Sequence, residues 1–197
     1  GTIRQAINDL ASEGLLQKVQ GSGTFRSNNS GIHISYFVNR TFTQQLQETG
    51  QEPGIADIRL ETVPVTANVA KYLQIPQDTE VFRLSRVRLS NGLPFGVGVA
   101  YIRKEYVPQL KAEDLEMSLV DMMETKHGIV FTNRHGYCFA VPASPELAAT
   151  LSVRPNSPIL EIDYIFCDQS GTPLMVDMMQ LSSSFRLALE AAEPAPN

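Results

Sequence analysis

Only two cysteines, Cys138 and Cys167, occur among 197 residues. Two cannot make a disulfide framework, so a reducing, cytoplasmic setting is expected. The three histidines, His33, His127 and His135, are scattered, and Cys, His and carboxylates never cluster at metal-ligand spacing. No metal and no cofactor is therefore expected. No apolar run approaches the roughly 20 residues of a membrane helix. The opening Gly1-Thr2-Ile3-Arg4 leads straight into an amphipathic segment rather than a signal peptide. There is no βαβ phosphate loop, nucleophile motif or paired acid–base arrangement, so no catalytic residue is nominated and an enzyme is not expected.

The length suits one large or two small domains. A net charge of −5 argues against coating nucleic acid by bulk charge. The charge is uneven. Residues 1–30 carry Arg4, Lys18 and Arg26 against Asp9 and Glu13, net +1, which leaves −6 on the remainder.

From Thr2 to Glu13, Ile3, Ala6, Ile7, Leu10 and Ala11 recur at helical spacing, and Gly14 stops the helix. Leu15–Val19 and Thr24–Arg26 read as a hairpin across Gln20-Gly21-Ser22-Gly23. Ser27–Gly31 is polar and linker-like. The second unit alternates short helices (42–49, 67–73, 119–126, 145–151) with strands (55–65, 80–90, 93–105, 129–141, 158–168, 173–181). Asn91-Gly92 is a strong hairpin signal. The predicted class is α+β with a mainly antiparallel sheet. Leu73-Gln74-Ile75-Pro76 and Leu151-Ser152-Val153-Arg154-Pro155 each follow a short helix and precede a strand, which suggests two copies of one helix–turn–strand unit.

The opening TIRQAINDLASEGLLQKVQGSGTF resembles the C-terminal part of a GntR-type winged helix-turn-helix: a recognition helix, then a wing with a glycine-rich tip. The helices that precede it in that family are absent from this sequence. Phe42-Thr43-Gln44-Gln45-Leu46 with Gly50, Val81–Leu89, Asn91-Gly92-Leu93-Pro94, Tyr101, Ser118-Leu119, Pro158-Ile159-Leu160-Glu161 and Gly171-Thr172-Pro173 resemble the UTRA effector-binding domain of HutC-type regulators. That domain shares its fold with chorismate lyase. The boundaries implied are 1–26 for the truncated winged helix, 27–35 for a linker, 36–189 for the UTRA domain and 190–197 for a tail. The function implied is a ligand-responsive DNA-binding regulator, a repressor and a homodimer, with operator DNA and a small anionic effector as partners. The alternatives are a chorismate lyase-like enzyme and a non-catalytic module that binds an anionic metabolite.

Under that resemblance Thr2, Arg4 and Gln5 begin the recognition helix, and Gly21, Ser22, Gly23 and Thr24 form a wing tip slim enough to approach a groove. Arg86 and Arg88 point the same way on one strand and make a fork suited to a phosphate, carboxylate or phosphonate head. Thr43 and Ser118 lie at helix starts, where backbone N–H groups favour anions. The resemblance places these four around an effector phosphate. At positions that hold sugar hydroxyls in sugar-phosphate-binding members, this sequence has Gly98, Val120, Met175 and Leu181. An anionic head with a largely apolar or weakly polar remainder is therefore expected. A one-residue slip in the last strand would bring Asp177 into the pocket instead. Tyr101 is nominated with the effector residues, and Arg134, His135 and Tyr137 are held in reserve.

Overall fold

The computed structural model describes residues 2–12, 16–19, 23–26, 32–35, 41–111, 115, 118–182 and 185–188. Helix α1 (Thr2–Ser12) is followed by the antiparallel hairpin of β1 (Leu16–Val19) and β2 (Gly23–Arg26), with Lys18 opposite Thr24. Most of the expected turn and linker, and the expected tail at 190–197, lie outside the described residues. The end of the expected linker is a strand, β3 (Ile32–Ser35).

Helix α2 (Phe42–Glu48) starts from Thr41, whose hydroxyl accepts the Gln44 N–H while the Gln44 side chain accepts the Thr41 N–H. This reciprocal cap settles two backbone donors at once. Strand β4 (Pro53–Pro64) leads into α3 (Ala67–Leu73) and then the hairpin of β5 (Glu80–Ser90) and β6 (Leu93–Arg103). Asn91 and Gly92 both take positive φ at its turn, as a two-residue hairpin loop requires. Strand β6 stops at Arg103, short of the expected Glu105. A 3-10 turn, Lys104–Tyr106, follows, and Arg103 pairs with Glu105 at 2.6 Å.

Helix α4 (Leu119–His127) ends at Gly128, φ +66°. The Gly128 N–H reaches Glu124 and the Ile129 N–H reaches back to Met123. This closure turns the chain inward, so Ile129 and Phe131 pack on the core. Strand β7 (Asn133–Pro142) therefore starts four residues later than the apolar run suggests. Helix α5 (Pro145–Leu151), β8 (Pro158–Cys167) and β9 (Pro173–Leu181) complete the sheet. Strand β10 (Phe185–Ala188), not foreseen, pairs in parallel with β3.

The six-stranded sheet runs β4-β5-β6-β9-β8-β7, and every neighbouring pair is antiparallel. Its order reads as two β–α–β–β units joined through their last strands. Each cap in the second unit falls 78 residues after its counterpart: Thr66 and Ser144 start the helices, and Gln74 (φ +54°) and Ser152 (φ +55°) end them. The Ile75 N–H bonds the Ala70 carbonyl at 3.1 Å, and Val153 bonds Ala148 at 3.0 Å. The duplication suggested by the two short motifs thus extends to sheet order and hydrogen bonding.

One face of the sheet is covered by α3 and α5, through the clusters around Leu73 and Leu151. The other carries Leu84, Ile102, Ile162, Met175 and Met179 beneath α2 and α4, which contribute Leu46, Leu119, Met122 and Met123. Among these apolar side chains β5 places two arginines on the inner face. Among the described residues no helix is long and apolar enough to cross a membrane.

Candidate anion-binding site

Arg86 and Arg88 are 2 % and 8 % exposed. Period-2 geometry puts both under α2 and α4 with Leu84, since alternate residues of a strand share a face. Opposite them, β9 contributes Asp177, also 8 % exposed. Arg88 Nη2 lies 3.6 Å from Asp177 Oδ2, an ion pair longer than a good charge-assisted hydrogen bond. The Arg88 guanidinium also sits 5.6 Å above the Phe42 ring. Burial pulls the Arg86 guanidinium down to about 9; repulsion by Arg88 adds to this and attraction by Asp177 opposes it. Burial likewise lowers Arg88, against Asp177. Two like charges buried side by side repel each other, and an anion placed against both offsets that repulsion and part of the cost of their burial.

Arg88 and Asp177 border a cavity of about 580 Å³, part of it open to solvent, lined among others by Phe42, Thr43, Ser118 and Arg134. A second lobe of about 400 Å³ extends toward Phe95 and Pro53 and shares Phe42, Thr43, Arg88 and Ser118. Three of the four residues expected to hold an anion thus stand at the junction of both lobes, and Arg86 lies buried beside them. Ser118 caps α4, its Oγ accepting the Asp121 N–H at 3.4 Å, which leaves its hydroxyl hydrogen to donate. Thr43 is in the first turn of α2 and is not its cap; that role belongs to Thr41, which also lines the cavity.

Val120 and Met175 line the cavity as expected. Leu181 does not: it is fully buried in the core, near Gly96. Tyr101 is corrected outright. It is the cross-strand partner of Arg83, one residue out of phase with Arg86, so it faces the α3 side and packs on the cluster around Leu73. Gly98 sits across from Arg86 at the foot of the Arg88–Asp177 pair. A Cβ there would come 2.7 Å from Met179 Sδ. Of the reserve residues, Arg134 lines the cavity, its guanidinium 5.7 Å above Phe166. His135 and Tyr137 border a groove on the opposite face, where Tyr137 stacks on Tyr72 at 5.9 Å.

The apolar wall is therefore only partial, because Asp177, Tyr164, Arg134 and Gln45 also line the cavity. No slip of register is needed to admit Asp177. It shares a face with Met175, two residues away, so both reach the cavity. A lone carboxylate within Met175-Val176-Asp177-Met178-Met179 was the available signal. Tyr164 was legible only through the duplication, since it stands 78 residues after Arg86. Phe42, Tyr164 and Phe166 form an aromatic side, with ring centroids 6.3 and 6.1 Å apart in succession. Among the described residues no group of three His, Cys, Asp or Glu could hold a metal ion.

In the first segment Thr2, Arg4 and Gln5 are exposed on α1 and Thr24 is exposed on β2. Gly23 opens β2, and Gly21 and Ser22 lie outside the described residues. Ile3, which begins the apolar stripe of α1, is 78 % exposed.

The chain is 27 % identical over 171 residues to the HTH-type transcriptional repressor NagR of Bacillus subtilis, covering 87 % of this chain and 70 % of that protein. It is 22 % identical over 160 residues to the repressor MngR of Escherichia coli, a mannosyl-D-glycerate transport and metabolism system repressor, covering 81 % of this chain and 66 % of that one. The fold is that of PhnF from Mycobacterium smegmatis (TM-score 0.76, 16 % identity, 98 % of this chain and 85 % of that one) and of YydK from Bacillus subtilis (TM-score 0.71, 22 % identity, 96 % and 82 %). Residues 48–181 match the family model of the UTRA domain, and the chain belongs to that family.

Proposed function

We propose that the chain belongs to a cytoplasmic, homodimeric, DNA-binding transcriptional repressor whose operator affinity is set by a small anionic metabolite. The observation that carries the effector half is the buried pair of arginines, Arg86 and Arg88, with Arg88 on the wall of a cavity that Thr43 and Ser118 also line. The exposed Thr2, Arg4, Gln5 and Thr24 support the DNA half, as do relatives named as repressors; Gly21, Ser22 and Gly23 are proposed DNA contacts on the resemblance alone. Operators with two half-sites call for a two-fold protein. The effector acts by binding one arrangement of the DNA heads more tightly than the other. Thr43, Arg86, Arg88 and Ser118 hold its anionic head, a phosphate, carboxylate or phosphonate. Val120 and Met175 bound the remainder.

The test is a titration of the intact regulator onto labelled duplex from upstream of its own gene, at fixed salt. Binding is expected to prefer that duplex over a scrambled one. Small phosphorylated or carboxylated metabolites are expected to shift the affinity by about 5- to 150-fold, the usual range of allosteric coupling. Equal affinity for the scrambled duplex, or conversion of chorismate by the purified protein, would overturn the reading.

A further inference from the structure

The two edges of the six-stranded sheet are built differently. The β4 edge is blunted. Its ladder breaks at a bulge between Ala56 and Arg59, where Asp57 takes φ +50°, prolines stand at both ends, and Asp57, Arg59 and Glu61 are exposed charges. Such features keep a further strand from adding. The β7 edge has none of them from Gly136 to Val141. It pairs with β8 without a break in register, and its outward N–H and C=O groups meet no other strand among the described residues. That stretch, Gly-Tyr-Cys-Phe-Ala-Val, carries no charge. The exposed large apolar side chains among the described residues are Ile3, Val130, Tyr137 and Phe139. The last two stand on β7 at 57 % and 40 % exposure, and Val130 lies just before it. Cys138, between them, is exposed on the other face. Outward backbone groups flanked by apolar side chains are answered by another extended backbone.

We propose that β7 is the homodimer interface: two copies of this chain pair β7 with β7 in antiparallel, centred on Cys138, and join their sheets into one. This deepens the homodimer reading above and rests on it. The occupant is a second copy because the edge suits itself. Around a two-fold axis at Cys138, residues 134–142 of each strand run alongside the other, and Tyr137 stands opposite the partner's Phe139 twice over. Aromatic pairs across strands are among the favourable ones. Arg134 meets Pro142 and His135 meets Val141, so no cation faces a like charge. A centre at Arg134 would set two guanidiniums against each other. The pairing also covers Tyr137 and Phe139 where they border the groove beside Tyr72. Arg134 of the same strand lines the anion cavity, so the interface and the effector site share one strand.

The experiment uses the full chain at micromolar concentration. Sedimentation of wild type is expected to show a dimer. Residues directly opposite in an antiparallel pair have Cα atoms about 4.5–5.5 Å apart, within disulfide reach. Copper phenanthroline with oxygen should therefore link the two Cys138 thiols, which give up two protons and two electrons to the oxidant. Cys138→Ser should remain a dimer and not cross-link, since Cys167 is buried. Cys138→Lys places two ammonium groups opposite each other and should weaken the dimer about tenfold or more, as should Cys138→Glu. An equimolar mixture of the two variants should restore the dimer, which misfolded chains cannot do. A wild-type monomer overturns the homodimer reading and this interface with it. A wild-type dimer that forms no Cys138 disulfide, or that Cys138→Lys leaves as tight, overturns the β7 interface and leaves the homodimer reading standing. The cross-link is made on wild type, so it decides the matter even where a variant does not fold.

Discussion

Replacing Arg86 with methionine is expected to move stability and binding in opposite directions. The side chain is 2 % exposed, with a second guanidinium close enough to lower its pKa. Methionine has similar reach and no charge, and it relieves the repulsion between Arg86 and Arg88. Replacing buried ions with well-packed apolar groups is often neutral or stabilising by about 1–4 kcal/mol. The unliganded variant should therefore unfold at the same temperature as wild type or higher. Anion binding should fall by about ten- to a hundredfold, since a charge-assisted hydrogen bond contributes about 1.5–3 kcal/mol. Arg88→Ala should lose a similar factor, and the double variant less than the product, because both arginines serve one anion.

The same residue sets a pH signature. Burial depresses Arg86 to about 9, well below the ordinary guanidinium range. Between about 9 and that range the folded state binds fewer protons than the unfolded state, so the Arg86 contribution to stability rises with pH there. Below about 9 the cost of the buried charge is fully present. Anion affinity behaves the other way: level below about 9 and falling above it. Thermal unfolding and phosphate calorimetry from pH 7 to about 10.5, with wild type minus Arg86→Met as the readout, isolate this term from the lysines. An Arg86→Met protein that is markedly less stable without ligand, or that keeps its phosphate affinity, contradicts the assignment.

Gly136→Ala is expected to be the most damaging single methyl in the sheet. Gly136 pairs with Tyr164 between β7 and β8, and a Cβ there would stand 1.8 Å from the Asp163 carbonyl oxygen and 2.9 Å from its carbon. No rotamer change relieves a clash with backbone, so β7 must leave its register. A loss of about 3–5 kcal/mol is expected, in the range reserved for disrupted cores. Arg134 and Phe166 face each other across the same two strands, so ligand affinity should fall as well. Gly128→Ala is the control. Its Cβ would meet nothing within 4 Å, and only the φ of +66° opposes it, which costs about 1 kcal/mol. Urea midpoints of the two variants measure the contrast. A Gly136→Ala protein within about 1 kcal/mol of wild type would mean that β7 and β8 do not pair as described.

How much was legible differs by element. Helices α3 and α5 and the turn at Asn91-Gly92 were readable because their signals are local: a cap residue, a helical stripe, a positive-φ turn within a few positions. The duplication was readable for the same reason, since Gln74 and Ser152 end their helices in like surroundings. Strands β3 and β10 were not. Each has four residues, and neither has a reason to be extended except the other, some 150 residues away. The start of β7 was misplaced because Ile129 and Phe131 are apolar for the core rather than for the sheet.

At the site, the sequence by itself determined the cation pair. Arg86 and Arg88 share a face of any strand that contains them, whatever that strand packs on. It also excluded Tyr101 in principle, since parity within β6 depends only on pairing with β5. Which groups meet the arginines was decided by the tertiary structure alone. Asp177 and Tyr164 come from the second half of the chain, and they reach Arg88 because β6 and β9 join the two units at the middle of the sheet. Thr43 and Ser118 arrive on two helices laid over that junction. A strand's alternation is a property of the backbone and survives in isolation. The closing of one half of the sheet on the other is a long-range pairing, with no local residue pattern to announce it.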